Sequence, residues 1–367
     1  MSPPLAPGVY IQEIPQMLPI QNVPTNVAGF IGVSQPGPKP ALLTSLAEFR
    51  QAYPNPSQFL SLAVEGFFAN GGSQCYVATI SAHDPFQTAL DALGKVKLQL
   101  LCCPDESLVP GAASLMAAHC EQLKDRFCIL QSPQPVIAGA THQPPVHSAF
   151  AAYYYPWISI LSNGASVTIP PGGHVAGVYA RTDAKSGVHT APSGTNAALT
   201  GVTGVSANIS TAEDELLNPR GINVIRSFPG TGILVWGVRT TSQDQEWLYV
   251  PVRRFLIFVE QSLQAGLQGA VFEPNSPDLW MSIRATIDSF LRSQWAAGAF
   301  SGATPDQAFS IRCDHTTMTQ SDIGAGRVIV QVGLSPLRPP LVKSGLAALQ
   351  PNELILLKIT VQLQPHP

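Results

Sequence analysis

The sequence predicts a mixed α/β fold: a layered α/β core with α+β character and an extended strand at each end. Three observations predict it. Strand-like and helix-like patterns alternate regularly from Val27 to Leu130. Two long helical patterns and two β-branched strands then follow between Tyr249 and Leu334. Finally, each end of the chain carries one isolated strand-like run on a proline-bearing leader.

Residues 1–24 alternate prolines with one run, Val9, Tyr10, Ile11, Gln12, Glu13 and Ile14, which has no hydrophobic partner nearby and reads as an arm. From Val27 a buried strand runs through Val33. Ser45 and Glu48 form a capping box that opens a helix, and a second helix spans Ser57 to Asn70 until Gly71-Gly72 stops it. A strand from Gln74 to Ile80 and a helix begun by Asp84 and Pro85 come next. Then come a strand from Val96 to Cys103, a helix to about Lys124 and a strand from Arg126 to Leu130. These elements set a first α/β domain at 25–135.

Four prolines between Gln131 and Pro145 mark a linker or domain boundary, and a second α/β region is expected over 136–340. Up to about Thr211 it is rich in Gly, Ser, Thr and Asn and reads as short strands and loops around one helix after Pro171-Gly172-Gly173. Gly221 to Phe228 and Gly232 to Arg239 are paired strands around the turn Pro229-Gly230. Helices follow from about Tyr249 to Gln268 and from Pro277 to Ala297, the latter with Ser276 as N-cap and Pro277 at the first helical position. Its helical spacing sends Trp280, Ile283, Ile287, Phe290 or Leu291, and Trp295 to the core, with Arg284, Asp288 and Arg292 on an adjacent stripe. Strands Phe309 to Asp314 and Arg327 to Leu334 complete the unit. The last segment, 341–367, is a second arm whose strand runs from Glu353 to Leu363 and includes Leu354, Ile355, Leu356, Leu357 and Ile359. A lone strand must find a sheet edge, its own or another subunit's, and composition leaves both open.

At 367 residues the chain is long enough for about two domains with full cores. Its 45% apolar content argues against disorder, and no apolar run approaches the roughly 20 residues of a membrane span. No Lys or Arg precedes Lys39 and nine prolines interrupt the first forty residues, so the secretory-signal pattern is missing and cytoplasmic synthesis is expected. Charged residues are only 12% of the chain, against about 25% in ordinary soluble proteins. So poorly solvated a surface points to faces covered by other subunits, because interface cores are depleted in charge. With 20 basic and 23 acidic residues there is no electrostatic excess for binding nucleic acid.

Catalytic and metal motifs are not found. Cys75, Cys102, Cys103, Cys120, Cys128 and Cys313 lack the two-residue gap that grips zinc and read as buried thiols. Cys313 and His315 would share a strand face, but two ligands do not make a site. His83, His119, His142, His147, His174 and His189 share no spacing with carboxylates. Gly230-Thr231-Gly232 begins like a dinucleotide loop, yet Val235 takes the third glycine position and the following residues read as strand. No phosphate loop, zincin helix or nucleophile elbow is present, which by itself does not exclude an enzyme.

Ordered blocks over nearly the whole chain resemble the contractile tail sheath family. They begin with Pro7-Gly8-Val9-Tyr10-Ile11-Gln12-Glu13, Thr25-Asn26-Val27-Ala28-Gly29-Phe30-Ile31-Gly32 and Phe67-Phe68-Ala69-Asn70-Gly71-Gly72. The more specific ones are Gly173-His174-Val175-Ala176-Gly177-Val178-Tyr179-Ala180-Arg181-Thr182-Asp183, Leu217-Asn218-Pro219-Arg220-Gly221-Ile222-Asn223 and Val235-Trp236-Gly237-Val238-Arg239-Thr240. Val252-Arg253-Arg254, Val271-Phe272-Glu273-Pro274-Asn275, Arg312-Cys313-Asp314 and Val332-Gly333-Leu334-Ser335-Pro336 continue the series. One departure is Leu341 to Gln350, inserted before the terminal strand. Within the blocks, Arg181 with Asp183, and Arg253 or Arg254 with Glu260 or Glu273, are candidate ion pairs, buried, interfacial or merely solvated.

The resemblance implies a tail-sheath-like core and a non-enzymatic subunit without cofactor. Its partners would be further copies of itself in stacked six-membered rings, an inner tube protein, and baseplate and tail-terminator proteins. Neither nucleic-acid binding nor membrane insertion is expected. The subunit would be part of an assembled tail or injection particle. Val9 to Ile14 and Leu354 to Ile359 would be subunit-linking strands. The stripe Arg284, Asp288 and Arg292 is either an inner-tube contact or an ordinary i to i+4 charge ladder. A small-molecule α/β enzyme, or another tube or baseplate component, is the alternative.

Overall fold

A computed structural model describes residues 17–35, 39–81, 83–134, 142–339 and 354–364. Two units emerge, one from residues 22–261 with 336–339, the other from 17–21, 262–335 and 354–364.

The larger unit is built on one seven-stranded sheet. Its strands are β1 (Ala28–Val33), β2 (Cys75–Ile80), β3 (Leu100–Cys102), β4 (Phe127–Gln131) and β5 (Ala151–Tyr155). Two strands from later in the chain, β9 (Ile222–Phe228) and β10 (Gly232–Val235), complete it, in the order β10-β9-β5-β4-β3-β1-β2. All pairs are parallel except the β9–β10 hairpin. Parallel strands covered on both faces lack polar alternation, and β3, β4 and β5 are buried at every position. The covering helices are α1 (Leu46–Ala52), α2 (Gln58–Ala69), α3 (Phe86–Leu93), α4 (Ala112–Leu123) and α5 (Gly172–Ser186). α2 packs on β1 and on α5, which covers β3 and β4, whereas α3 packs on β1, β2 and α4. Right-handed crossovers to the two sides of β1 put these pairs on opposite faces, giving a doubly wound sheet. α2 and α5 approach closely because Gly177 has no side chain: a Cβ there would lie 2.5 Å from the Phe67 carbonyl oxygen.

β6 (Ile158–Ser162), β7 (Ala165–Ile169) and β8 (Val202–Val205) form an antiparallel sheet of their own in the order β7-β6-β8. The seven-stranded sheet is continuous across the proline-rich stretch, since β4 and β5 pair directly. α6 (Thr211–Leu217) follows with a full capping box from Ser210 and Glu213.

α7 (Val250–Gly266) runs into the smaller unit, which contains α8 (Pro277–Ala296), α9 (Pro305–Ala308) and β11 (Phe309–Arg312). α10 (Gln320–Gly324), β12 (Arg327–Leu334) and β13 (Ile355–Gln362) complete it. The strands form an antiparallel sheet in the order β11-β12-β13.

Most sequence-predicted elements are present, and several details differ. The second strand of the hairpin, expected to reach Arg239, ends at Val235. Ser45 caps α1 through the Glu48 N–H, but the Glu48 carboxylate reaches past it to the Thr44 N–H at 2.6 Å, so the box is displaced by one residue. The strand expected from Val96 is only Leu100–Cys102, because the Val96 N–H still closes the turn after α3 on Leu93 O. On α8 the buried stripe is Leu279, Ile283, Ile287, Phe290, Leu291 and Gln294. Trp280 and Trp295 are half-buried, each held by its indole N–H: Trp280 to Asn275 Oδ1 at 2.7 Å, Trp295 to Gly302 O at 3.3 Å. Large aromatic rings with one polar atom sit at a core margin, where that atom finds a partner.

Candidate assembly surfaces

β12 alternates β-branched residues and is the middle strand of its sheet, with Val328, Val330, Val332 and Leu334 all 0% exposed. β13 pairs with it along its full length, from Arg327↔Gln362 to Leu334↔Ile355. Period-two alternation sends Ile355 and Val361 inward, leaves Leu357 and Ile359 half-buried, and turns Lys358 and Thr360 outward. Leu356 breaks the polar outer face at 73% exposure, and Leu354, just before the strand, is exposed as well. The predicted C-terminal linking strand therefore pairs with its own chain in the single subunit. The predicted N-terminal strand, Val9 to Ile14, lies outside the described residues, as does the stretch Leu341 to Gln350. Among the described residues no further strand pairs with the outer edge of β11 or β13.

Beside the β11 edge lies an open groove of about 520 Å³, walled by Met281, Arg284, Ala285 and Asp288 of α8 and by Asp306, Phe309, Ser310 and Ile311 opposite. Arg284 and Asp288 thus both line the groove. Arg292 binds Asp288 through Nε at 2.6 Å, an i, i+4 ion pair with both side chains substantially exposed (53% and 39%). The spacing read from sequence is correct, and one of its two steps is a formed ion pair.

Two ion pairs of the larger unit are of another kind. Arg254 holds Asp183 through both guanidinium nitrogens at 2.9 and 2.7 Å, donates also to Thr25 O, and lies over the Tyr179 ring; both partners are almost wholly buried. Arg181 is not the partner of Asp183, as the short sequence distance suggested: it donates to Asn70 O at 3.0 Å and Ala198 O at 2.7 Å. Arg253 binds Glu260 at 3.2 Å between the rings of Phe150 and Trp247. Burial raises the Glu260 carboxyl and lowers Arg253, each opposed by the other's charge. A partner 71 residues away gives no periodic signal, so sequence reading missed Arg254–Asp183.

These groups offer little to chemistry. All six cysteines are buried and unbridged, and burial pushes Cys75 and Cys313 up to about 12 and Cys102, Cys103 and Cys128 well above the ordinary thiol value. Thiolates are the reactive form, so burial disfavours reaction at these five thiols. His174 is enclosed against α2 and burial lowers it to about 4, which keeps it neutral. Among the described residues no group of three or more His, Cys, Asp or Glu side chains is placed to hold a metal ion, and no helix is long and apolar enough to cross a membrane.

The architecture is thus a doubly wound α/β unit and a unit built on a three-stranded antiparallel sheet that β13 completes. Residues 78–241 match the family model of the phage tail sheath protein central domain, and residues 242–340 that of the phage tail sheath C-terminal domain. The chain belongs to the phage tail sheath family. It is 24% identical over 264 residues to a putative prophage major tail sheath protein of Pseudomonas aeruginosa (strain UCBPP-PA14), covering 69% of this chain. Matches to that and two other curated tail sheath proteins span 66%, 25% and 40% of their lengths, less than two thirds in each case. Among solved structures, the anti-feeding prophage helical sheath in its contracted state is 32% identical with a TM-score of 0.78, covering 94% of this chain and 100% of that one. The PVC sheath complex of an extracellular contractile injection system, also contracted, is 30% identical with a TM-score of 0.80, covering 95% and 99%.

Proposed function

We propose that this chain is the sheath subunit of a contractile, phage-tail-like injection machine. It polymerises as stacked six-membered rings around an inner tube protein, between baseplate and tail-terminator proteins, and its contraction drives the tube through a target envelope. The carrying observation is the match over 94% of this chain and the whole of the anti-feeding prophage sheath chain. A likeness of that extent favours the sheath over a small-molecule enzyme and over another tube or baseplate component. Made in the bacterial cytoplasm, the subunit would act within the assembled particle.

Subunits of such a tube must slide and rotate while staying joined, and strand addition supplies that joint. β13 is suited to it as an edge strand reached through residues 340–353. Passed to the β12 of a neighbour, it would make the same ladder, at roughly 0.5 to 1.5 kcal/mol net per hydrogen bond. It would forgo only the closure of its leader on its own chain, an entropy term of roughly 2 kcal/mol. Val9 to Ile14 has the alternation to add to a sheet edge in the same way. Arg284, Asp288 and Arg292 supply a polar stripe for the inner tube, with contacts that release more readily than an apolar seam.

Electron microscopy of the purified chain, alone and co-expressed with its tube protein, tests the proposal. Helical tubes are expected; a persistent monomer in both preparations, over a range of salt and concentration, would overturn it.

A further inference from the structure

The order β2-β1-β3-β4-β5 is the common doubly wound one, and such sheets bind ligands in the crevice beyond the carboxyl ends of the strands, where the order reverses. Here that point lies between β1 and β3. Anions are favoured there because main-chain N–H groups and helix N-termini converge on it. In this chain the crevice is filled from within. The chain leaves β3 through Cys103 and Pro104 and turns Asp105, which is 0% exposed, back over the end of β1. Asp105 Oδ2 accepts the Val33 N–H at 2.7 Å and the Ser57 hydroxyl at 2.6 Å. Ser57 is itself the N-cap of the twelve-residue α2, its Oγ accepting the Leu60 N–H. Asp105 Oδ1 is buried with no hydrogen-bond partner among the described residues, so one oxygen does the binding.

The next gap along the sheet is closed in the same manner. The Gln131 carboxamide, at the end of β4, accepts the Gly172 N–H in the first turn of α5 at 2.9 Å and donates to Cys103 O at 2.6 Å. A Cβ at Gly172 would come within 2.5 Å of Cys102 Sγ and 2.6 Å of Gln131 Oε1, which leaves no room for an added group.

We propose that Asp105 is a built-in ligand: its carboxylate occupies the anion position of a doubly wound crevice, donated to by Val33 N–H and Ser57 Oγ–H, and turns a binding site into a permanent structural joint. The site is thus an anion site of carboxylate size whose occupant is covalently attached. A crevice closed by its own side chain has no empty state in which to yield.

The test is chemical rescue in the full chain. Asp105→Ala removes the carboxylate and leaves its volume and both donors in place. Thermal unfolding is followed in sodium formate and in sodium chloride of equal ionic strength, for the wild type, Asp105→Ala and Asp105→Asn. In chloride the alanine variant is expected to melt about 5 °C or more below the wild type. Formate should restore at least half of that loss while moving neither the wild type nor Asp105→Asn, whose carboxamide oxygen still fills the position. Adding Ser57→Ala to Asp105→Ala should abolish the rescue. Formate no better than chloride in the alanine variant would overturn the proposal, as would an equal gain in the wild type, which would mean that the position is open. If the alanine variant does not stay soluble, refolding from urea gives the same readout: higher yield in formate supports the built-in ligand, and equal yields refute it.

Discussion

In the larger unit the edges of the sheet are answered from within the chain. On β2 the Tyr53 hydroxyl donates to Val77 O at 2.6 Å, and Leu43 bridges Cys75. On β10 the backbone of residues 194–199 exchanges hydrogen bonds with Ile233 and Val235. In the smaller unit β11 faces an open groove, and β13 carries no further strand among the described residues. One ion pair from each unit shows the same contrast: Arg254–Asp183 of the larger is almost wholly buried, whereas Arg292–Asp288 of the smaller is exposed on both sides, as is the surface pair Arg50–Glu65 of the larger. The larger unit thus closes the edges of its main sheet from within. Among the described residues the other leaves its edges without a further strand, which is what a joint between subunits requires.

The largest effect expected from this contrast is on the ion pairs. Asp183→Ala leaves Arg254 charged and buried, and should cost about 3 to 5 kcal/mol in urea unfolding of the subunit. Asp288→Ala, on an exposed i, i+4 pair, should cost no more than about 0.5 kcal/mol. Similar costs for the two would break the comparison.

A second effect distinguishes the closed crevice by its pH response. The Glu106 residue is half-buried and its carboxyl is enclosed; burial pushes it up to about 8, with the Gln131 N–H pulling it back. In the unfolded chain this group ionises near 4.5. Between those values the unfolded state has released a proton that the folded state keeps, so stability falls as pH rises and the penalty is complete above about 8. Glu106→Gln should remove this decline, so that the variant gains on the wild type as pH rises from the ordinary carboxylate range to about 8. Parallel melting curves for the two proteins across that range would contradict it. Burial raises Asp105 as well, against its bonds from Ser57 and Val33, and this contribution persists in the variant.

The smallest effect on folding should come with a large one on assembly. Arg284→Glu with Arg292→Glu changes two exposed positions and should leave the melting temperature nearly unchanged. Co-assembly with the tube protein should fall at least tenfold by pelleting. Unchanged co-assembly would reduce the stripe to a surface ladder.

How much of this was legible in the sequence depends on the range over which each feature is encoded. Local signals carried through: Ser276 caps α8, Pro277 opens it, and Pro229-Gly230 turns β9 into β10. The family blocks carried the identity. The closing of the crevice did not show, because Asp105 meets Val33 and Ser57 only once β1, β3 and α2 are assembled. The proline-rich stretch after β4 reads as a boundary, yet the strands on either side of it are neighbours in one sheet. Proline density reports where the chain turns, and carries no information about which strands then pair. The final strand was legible as a strand, while its partner within the chain, β12, was one of two outcomes its alternation allowed.

The most direct measurement is a cross-link between β12 and β13. Gln331 and Lys358 are register partners on accessible positions, and the six native cysteines are buried, so Gln331→Cys with Lys358→Cys introduces one reactive pair. Oxidised as the isolated subunit, the variant should run as a single internally closed chain on a non-reducing gel. Oxidised after assembly into tubes, it should give a ladder of covalent multimers, because each β13 then lies on a neighbour's β12. Tubes that dissolve into monomers after oxidation would show that the strand stays on its own chain, and would contradict the proposed joint.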